Sequence, residues 1–176
     1  MTITAQMVKE LREKTGAGIL DAKKALVEND GDMEKAMEFL RQKGIASADK
    51  KMGRIAAEGV VCALVEGNQG AIVEVNCETD FVAKNEEFKE FVNCITKTIL
   101  KTKPADVDSL LASNACCDES KTVEDKIKEK IATIGEKITL RRFETYEGNL
   151  ATYVHNGKIG VMIQTSAKDD ALAKDV

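Results

Sequence analysis

Along the N-terminal quarter of the chain, apolar positions recur at helical spacing and are cut into three short runs by glycine. Met7, Val8 and Leu11 form the first stripe, opened by Thr4 as an N-cap and closed at Gly16. After the tight turn Gly16-Ala17-Gly18, Ile19, Ala22 and Leu26 carry a second helix to Asn29-Asp30-Gly31. Asp32 caps a third, whose Met33, Ala36, Met37 and Leu40 fall at i, i+3, i+4 and i+7 and which is expected to end at Gly44. This pattern predicts a three-helix bundle over 1–45, near the lower size limit for independent folding. Residues 46–58 are rich in Ala and Lys without a sustained apolar stripe and read as a solvated helical linker.

From Gly59 the period shortens to that of strands. Residues 60–65 are an apolar, largely β-branched run, Gly67-Asn68-Gln69-Gly70 is a turn, and 71–77 is a second strand, together a hairpin. Phe88, Val92, Ile95 and Ile99 then mark a long amphipathic helix that stops before Pro104. Residues 105–120 read as an irregular surface excursion with a short helix at 107–112. Val123, Ile127, Ile131 and Ile134 define another helix closed by Gly135, followed by a strand over 137–146. Beyond the turn Glu147-Gly148-Asn149 comes a further hairpin, 151–155 and 159–165, and a helix is expected to start just before the last residue, Val176.

The two hairpins superpose on Gly70 and Gly160, an offset of 160 − 70 = 90. Leu64 then falls on Val154, Gly67 on Gly157, Val73 on Ile163, Cys77 on Ala167, Asp80 on Asp170, Val82 on Leu172 and Lys84 on Lys174. An α+β fold follows, with a core of two duplicated hairpin-plus-helix subdomains, 59–140 and 141–176, the second incomplete. The copies part at one place: Thr79-Asp80-Phe81 in the first is Asp169-Asp170-Ala171 in the second. Two readings of Phe81 stand side by side. A Thr or Asp between strand and helix is an ordinary cap, and a nearby Phe usually packs in the core. An aromatic on a junction that its internal copy lacks is also what an interface anchor looks like.

Charge and composition narrow the chemistry. With 30 acidic against 26 basic residues the net charge is −4, so no global positive field draws the chain to nucleic acid or anionic membrane. The basic clusters Lys50-Lys51-Arg54 and Arg141-Arg142 have no interleaved aromatics for base stacking and read as surface charge. Five cysteines, an odd number with one adjacent pair and no C-x-x-C, predict reduced thiols and neither a disulfide framework nor a zinc site. No basic leader and no run near the roughly 18 apolar residues of a membrane span occurs, so a cytoplasmic protein is expected. A single histidine, His155, beside the turn Asn156-Gly157, cannot build a multi-histidine metal site. Neither glycine-rich phosphate cradle is present and no carboxylate pair stands out, so no enzyme activity and no cofactor is expected.

Three strings are specific enough to carry a resemblance: 11–18 (LREKTGAG), 21–26 (DAKKAL) and 74–85 (EVNCETDFVAKN), with further matches at 54–59, 134–138 and 159–161. On these the chain resembles the elongation factor Ts family. The resemblance implies a bundle of the ubiquitin-associated type at the N-terminus and a guanine-nucleotide exchange function in translation, with elongation factor Tu as partner. It implies that Asp80, Phe81, Val82 and Ala83 form the loop that dislodges the partner's magnesium ion, Phe81 as wedge and Asp80 as hydrogen-bonding group. It implies also that Arg12, Ile19, Leu20 and Lys23 dock on the GTPase domain, with His155 as a further contact. Ile19-Leu20 stands where family members commonly carry Met-Met, a conservative apolar change. Longer members continue past the equivalent of Val176, so the chain is expected to be a truncated form. The competing class is a passive adaptor that holds polypeptide on the bundle.

Overall fold

The computed structural model describes residues 3–166, apart from the side chains of residues 47 and 49. Three helices come first: α1 (Ala5–Thr15), α2 (Ile19–Glu28) and α3 (Met33–Lys51). A hairpin of β1 (Glu58–Glu66) and β2 (Gln69–Cys77) precedes α4 (Asp80–Lys84), α5 (Glu86–Thr102) and α6 (Val107–Ala112). There follow β3 (Asn114–Ala115), β4 (Asp118–Thr122), α7 (Val123–Ile134), β5 (Thr139–Glu147), β6 (Asn149–His155) and β7 (Ile159–Thr165). The class is α+β, with N-terminal helices ahead of a sheet core. Two compact units divide the chain: one holds residues up to Arg54 with Lys128–Glu136, the other Ile55–Ile127 and the chain from Lys137 on.

In the first unit the expected caps are in place. Thr4 Oγ1 accepts the Met7 N–H at 3.3 Å, and Asp32 Oδ1 accepts the Lys35 N–H at 3.0 Å. Gly16 closes α1 at φ 67°, a left-handed conformation glycine adopts without steric cost. Val8, Leu11, Ala22, Ala25, Leu26 and Ala36 make a buried core, edged by Met33, Met37, Phe39 and Leu40. The third helix does not end at Gly44: α3 runs on to Lys51 and takes in the first part of the expected linker. The reason is packing. A Cβ on Gly44 would stand 2.9 Å from Ala132 Cβ of α7, so this glycine permits a close helix approach and does not terminate anything. We expect Gly44→Val to lower the stability of the whole chain by about 1–3 kcal/mol, read in thermal unfolding, because the added methyls overpack this contact.

The second unit is built on an antiparallel sheet of order β1-β2-β5. β1 and β2 pair from Glu58↔Cys77 to Glu66↔Gln69 around a two-residue turn in which Gly67 has φ 63°. Gln69 and Gly70, expected in that turn, belong to the strand. β5 lies along the other edge of β2, from Gln69↔Glu147 to Asn76↔Thr139, with an irregularity at Glu74/Val75, and it runs through residue 141, where a subdomain boundary is expected. Alternate residues of β2 (Ala71, Val73, Val75, Cys77) are buried with Phe88, Val92, Ile95 and Ile99 of α5, the stripe read from the sequence.

β6 and β7 form a separate hairpin that is tied to the first sheet by the Val61 N–H donating to the Gly157 carbonyl at 2.8 Å and by a Lys158–Glu58 ion pair, and two glycines allow its close approach. A Cβ on Gly70 would stand 2.7 Å from Leu150 Cδ1 and Met162 Sδ, and one on Gly160 would stand 2.4 Å from Val61 Cγ1 and 3.0 Å from Ile72 Cδ1. Met162 and Ile72 are themselves related by the repeat offset, 162 − 72 = 90. The repeat matches at Ala167, Asp170, Leu172 and Lys174, the contrast at Asp169-Asp170-Ala171 and the expected terminal helix lie outside the described residues.

The segment expected to be irregular holds the β3–β4 hairpin as well as α6. The expectation of reduced thiols alone is also corrected: Cys94 of α5 and Cys117 are joined in a disulfide, their Cα atoms 6.0 Å apart. Nothing in the cysteine spacing marks this pair, because a turn of α5 and a hairpin tip 23 residues further on are brought together only by the fold. Among the described residues no helix is long and apolar enough to cross a membrane.

Candidate partner-binding loop

Strand β2 ends at Cys77, and three residues later the chain is helical. Thr79 makes the change: its backbone is extended (φ −121°, ψ 155°) and its Oγ1 accepts the Val82 N–H at 3.4 Å. The Cys77 thiol donates to the Thr79 carbonyl at 3.3 Å, fixing the junction from the strand side. At the other end Asn85 serves two helices. Its N–H donates to the Val82 carbonyl at 3.0 Å, and its Oδ1 accepts the Phe88 N–H at 3.2 Å at the start of α5. The five residues of α4 are thus held at both ends.

With so short a helix only one side can be rooted. Ala83 is that root, 4% exposed. Phe81, two positions earlier and so about 200° round the helix, is turned outward and is 81% exposed. Seven residues on, Phe88 is fully buried, so the exposure of Phe81 reflects its position and not a lack of apolar environment nearby. Burying such a ring on a partner is worth about 1.5–3 kcal/mol. Of the two readings the sequence leaves open for Phe81, core packing is excluded.

Asp80 opens α4, and its Oδ2 accepts from Lys84 Nζ at 2.6 Å. This hydrogen bond and the ammonium charge hold the Asp80 carboxyl below its ordinary range and raise Lys84. Because the folded value is the lower one, the stabilisation is present above the ordinary carboxyl pKa and is lost as pH falls through the folded value. We expect Lys84→Met to move the Asp80 carboxyl upward in an NMR pH titration, with the fold unchanged.

The remaining expected site residues fall on separate elements. In the first unit Arg12 of α1 and Ile19, Leu20 and Lys23 of α2 are all exposed, Ile19 at 60% and Leu20 at 79%, while Ala22, Ala25 and Leu26 face the bundle core. An adjacent exposed apolar pair opposite a complete core has no packing role there. In the second unit His155 is exposed at the end of β6, its Nδ1 2.9 Å from the Tyr153 hydroxyl and its Nε2 3.2 Å from Asn156 Nδ2. Around it lies a patch the sequence reading overlooked: Tyr153, Ile159 and Val161 are exposed and share its face through the pairs Tyr153↔Val161 and His155↔Ile159. The period-2 alternation of Ala151, Tyr153, His155 against Ile159, Val161, Ile163 is the signal that could have found it.

Other surface features are self-satisfied. Arg141 and Arg142 both bridge to Glu74, the latter with Nε 2.8 Å from Oε2, beside a cleft of about 530 Å³ between the sheet and the β6–β7 hairpin. Among the described residues no group of three His, Cys, Asp or Glu side chains could hold a metal ion.

These features describe a protein that presents an aromatic on a braced loop and a second apolar patch on a small bundle. The family model described as Elongation factor TS matches residues 78–176, more than half the chain, beginning just before that loop. An elongation factor Ts of Hydrogenovibrio crunogenus is 52% identical over 180 aligned residues, covering 100% of this chain and 60% of that protein. Another, of Streptococcus pyogenes serotype M18, is 54% identical over 179 residues, 99% of this chain and 51% of that protein. The chain belongs to the elongation factor Ts family. It spans between half and two thirds of the length of these relatives.

Proposed function

We propose that the chain is a guanine-nucleotide exchange factor of translation elongation, acting on elongation factor Tu. The observation that carries this reading is Phe81, fully presented on a helix too short to move independently of its two caps. In the proposal the bundle docks through Arg12, Ile19, Leu20 and Lys23, and His155 with its apolar neighbours makes a further contact. Phe81 wedges into the GTPase domain while Asp80 exchanges Lys84 for a hydrogen-bond donor of the partner; Val82 and Ala83 are the base from which the wedge pushes. A magnesium ion ties the nucleotide phosphates to such a GTPase, so dislodging it and shifting the phosphate-binding amides raises the GDP off-rate and lets GTP enter. The chain itself needs no cofactor and forms no covalent bond with substrate, and neither nucleic acid nor membrane enters the scheme. A cytoplasmic setting follows from the partner.

Two finer points of architecture belong to the same proposal. The bundle, 1–45, is of the ubiquitin-associated type. The core, 59–140 and 141–176, is a duplication, supported by the reciprocal seating of Gly70 against Met162 and Gly160 against Ile72.

Docking and wedging separate in a titration of the whole chain against elongation factor Tu loaded with a fluorescent GDP analogue. We expect Leu20→Asp to raise the concentration giving half-maximal release about 10-fold or more, the loss of one buried anchor and the introduction of a desolvated charge, and to leave the maximal rate unchanged. A lowered maximal rate with unchanged half-saturation would assign Leu20 to the wedge instead and break the proposed division of labour.

A further inference from the structure

Three of the five cysteines meet at one place. Cys116 and Cys117 are the whole turn of the β3–β4 hairpin, lying between the paired Ala115 and Asp118. Two-residue hairpin turns favour positive φ, and neither cysteine has it. With a first strand of two residues the hairpin is also too short to persist on its own. Its tip is instead held from outside, by α5. Cys117 is bonded to Cys94. The Cys116 N–H donates to Thr98 Oγ1 at 3.0 Å, and the Cys116 thiol donates to the Cys94 carbonyl at 3.3 Å. A third sulfur, half-buried, is therefore seated on the main chain of one bonded cysteine, while the other bonded cysteine, Cys117, is exposed. The remaining two differ: Cys77 is buried, and burial pushes the Cys62 thiol up.

We propose that Cys94, Cys116 and Cys117 form a thiol–disulfide exchange site, open at Cys117 to a thiol reductant and closed internally by Cys116. A reductant thiolate attacks Cys117 Sγ; the bond to Cys94 breaks, and Cys94 leaves as a thiolate and takes a proton. A second reductant thiolate, or the second sulfur of a dithiol, attacks the reductant sulfur of the mixed disulfide and releases Cys117. The reductant is oxidised by two electrons and the cysteine pair is reduced by two. In the internal exchange the Cys116 thiolate attacks Cys94 Sγ and Cys117 departs with the electron pair, the proton passing from Cys116 to Cys117 with no net oxidation. Both steps act on the clip that fastens the hairpin to α5, and neither touches the caps of α4, so the site is independent of the exchange reading. In a reducing compartment, disulfides that do form are usually of this transient or sensing kind.

The test equilibrates the whole chain in buffers of graded reduced-to-oxidised glutathione ratio, quenches with acid, alkylates and maps the linkages by mass spectrometry. Oxidised wild-type protein is expected to carry Cys94–Cys117 as its main linkage, with Cys62, Cys77 and Cys116 alkylated in that form, and the reducing end to show every cysteine alkylated. A Cys94–Cys116 linkage is expected beside the main one, in a proportion to it that does not change with the ratio, because the internal exchange involves no net oxidation. Cys117→Ser is expected to carry Cys94–Cys116, Cys116→Ser to keep Cys94–Cys117, and Cys94→Ser to hold neither. Full alkylation of the wild type at the oxidised end overturns the proposal. A single linkage at every ratio, with no Cys94–Cys116 in Cys117→Ser, overturns the role of Cys116.

Discussion

Replacing Phe81 by Ala is expected to leave the fold intact and to cut the acceleration of GDP release from elongation factor Tu by about 30-fold or more. The two halves of this expectation have one cause. An 81% exposed ring makes almost no contact within the chain, so truncating it falls among surface changes that alter stability by at most about 0.5 kcal/mol. A ring that is free in the unbound chain and enclosed in the complex is what interface hot spots consist of, and removing one costs about 2 kcal/mol or more, a factor of about 30. The loss should appear in the maximal rate and not in half-saturation if docking rests on the bundle, as proposed. Circular dichroism and thermal unfolding check the first half, and stopped-flow release at saturating chain the second.

Phe88→Ala should do the reverse. Its ring is fully buried and tilted at 46° against Phe91, with centroids 6.4 Å apart, where α5 starts beneath the sheet. Truncation removes the transfer energy of the ring and leaves a cavity, together about 3–5 kcal/mol. That is a large part of the 5–15 kcal/mol typical of a domain, so a marked fall in the thermal midpoint is expected. Release of GDP should fall only through loss of folded protein. The two phenylalanines, seven residues apart in the chain, thus divide the proposed function from stability in a single comparison.

Much of the fold was legible because period and punctuation agree with it. Thr4, Gly16, Asp32 and Asn29-Asp30-Gly31 bracket helices at the places where the structure begins and ends them, and the α5 stripe is the buried face of that helix. Gly44 misled, since a glycine that ends a helix and one that admits a neighbouring helix are the same letter, and only the approach of Ala132 tells them apart. Pairing of β5 with β2 across more than 60 residues, and the closure of Cys94 on Cys117, are tertiary facts with no local signature. At the loop the residues alone left Phe81 undecided. What decides it is geometric: Ala83 takes the one inward position on a single helical turn, and Phe81 is left facing solvent. Tyr153, Ile159 and Val161 follow the alternation rule, but the same alternation is shown by any paired hairpin strand, so by itself it does not mark their common face as an exposed apolar patch.

Release of a fluorescent GDP analogue from elongation factor Tu at saturating whole chain, with and without free magnesium, distinguishes a braced loop that works on the magnesium ion of the GTPase, as proposed, from one that does not. A strong acceleration that depends on Phe81 is expected in magnesium-containing buffer. A clearly smaller factor is expected when a chelator has already removed the metal. An equal factor in both buffers, or no acceleration in either, would contradict the proposal.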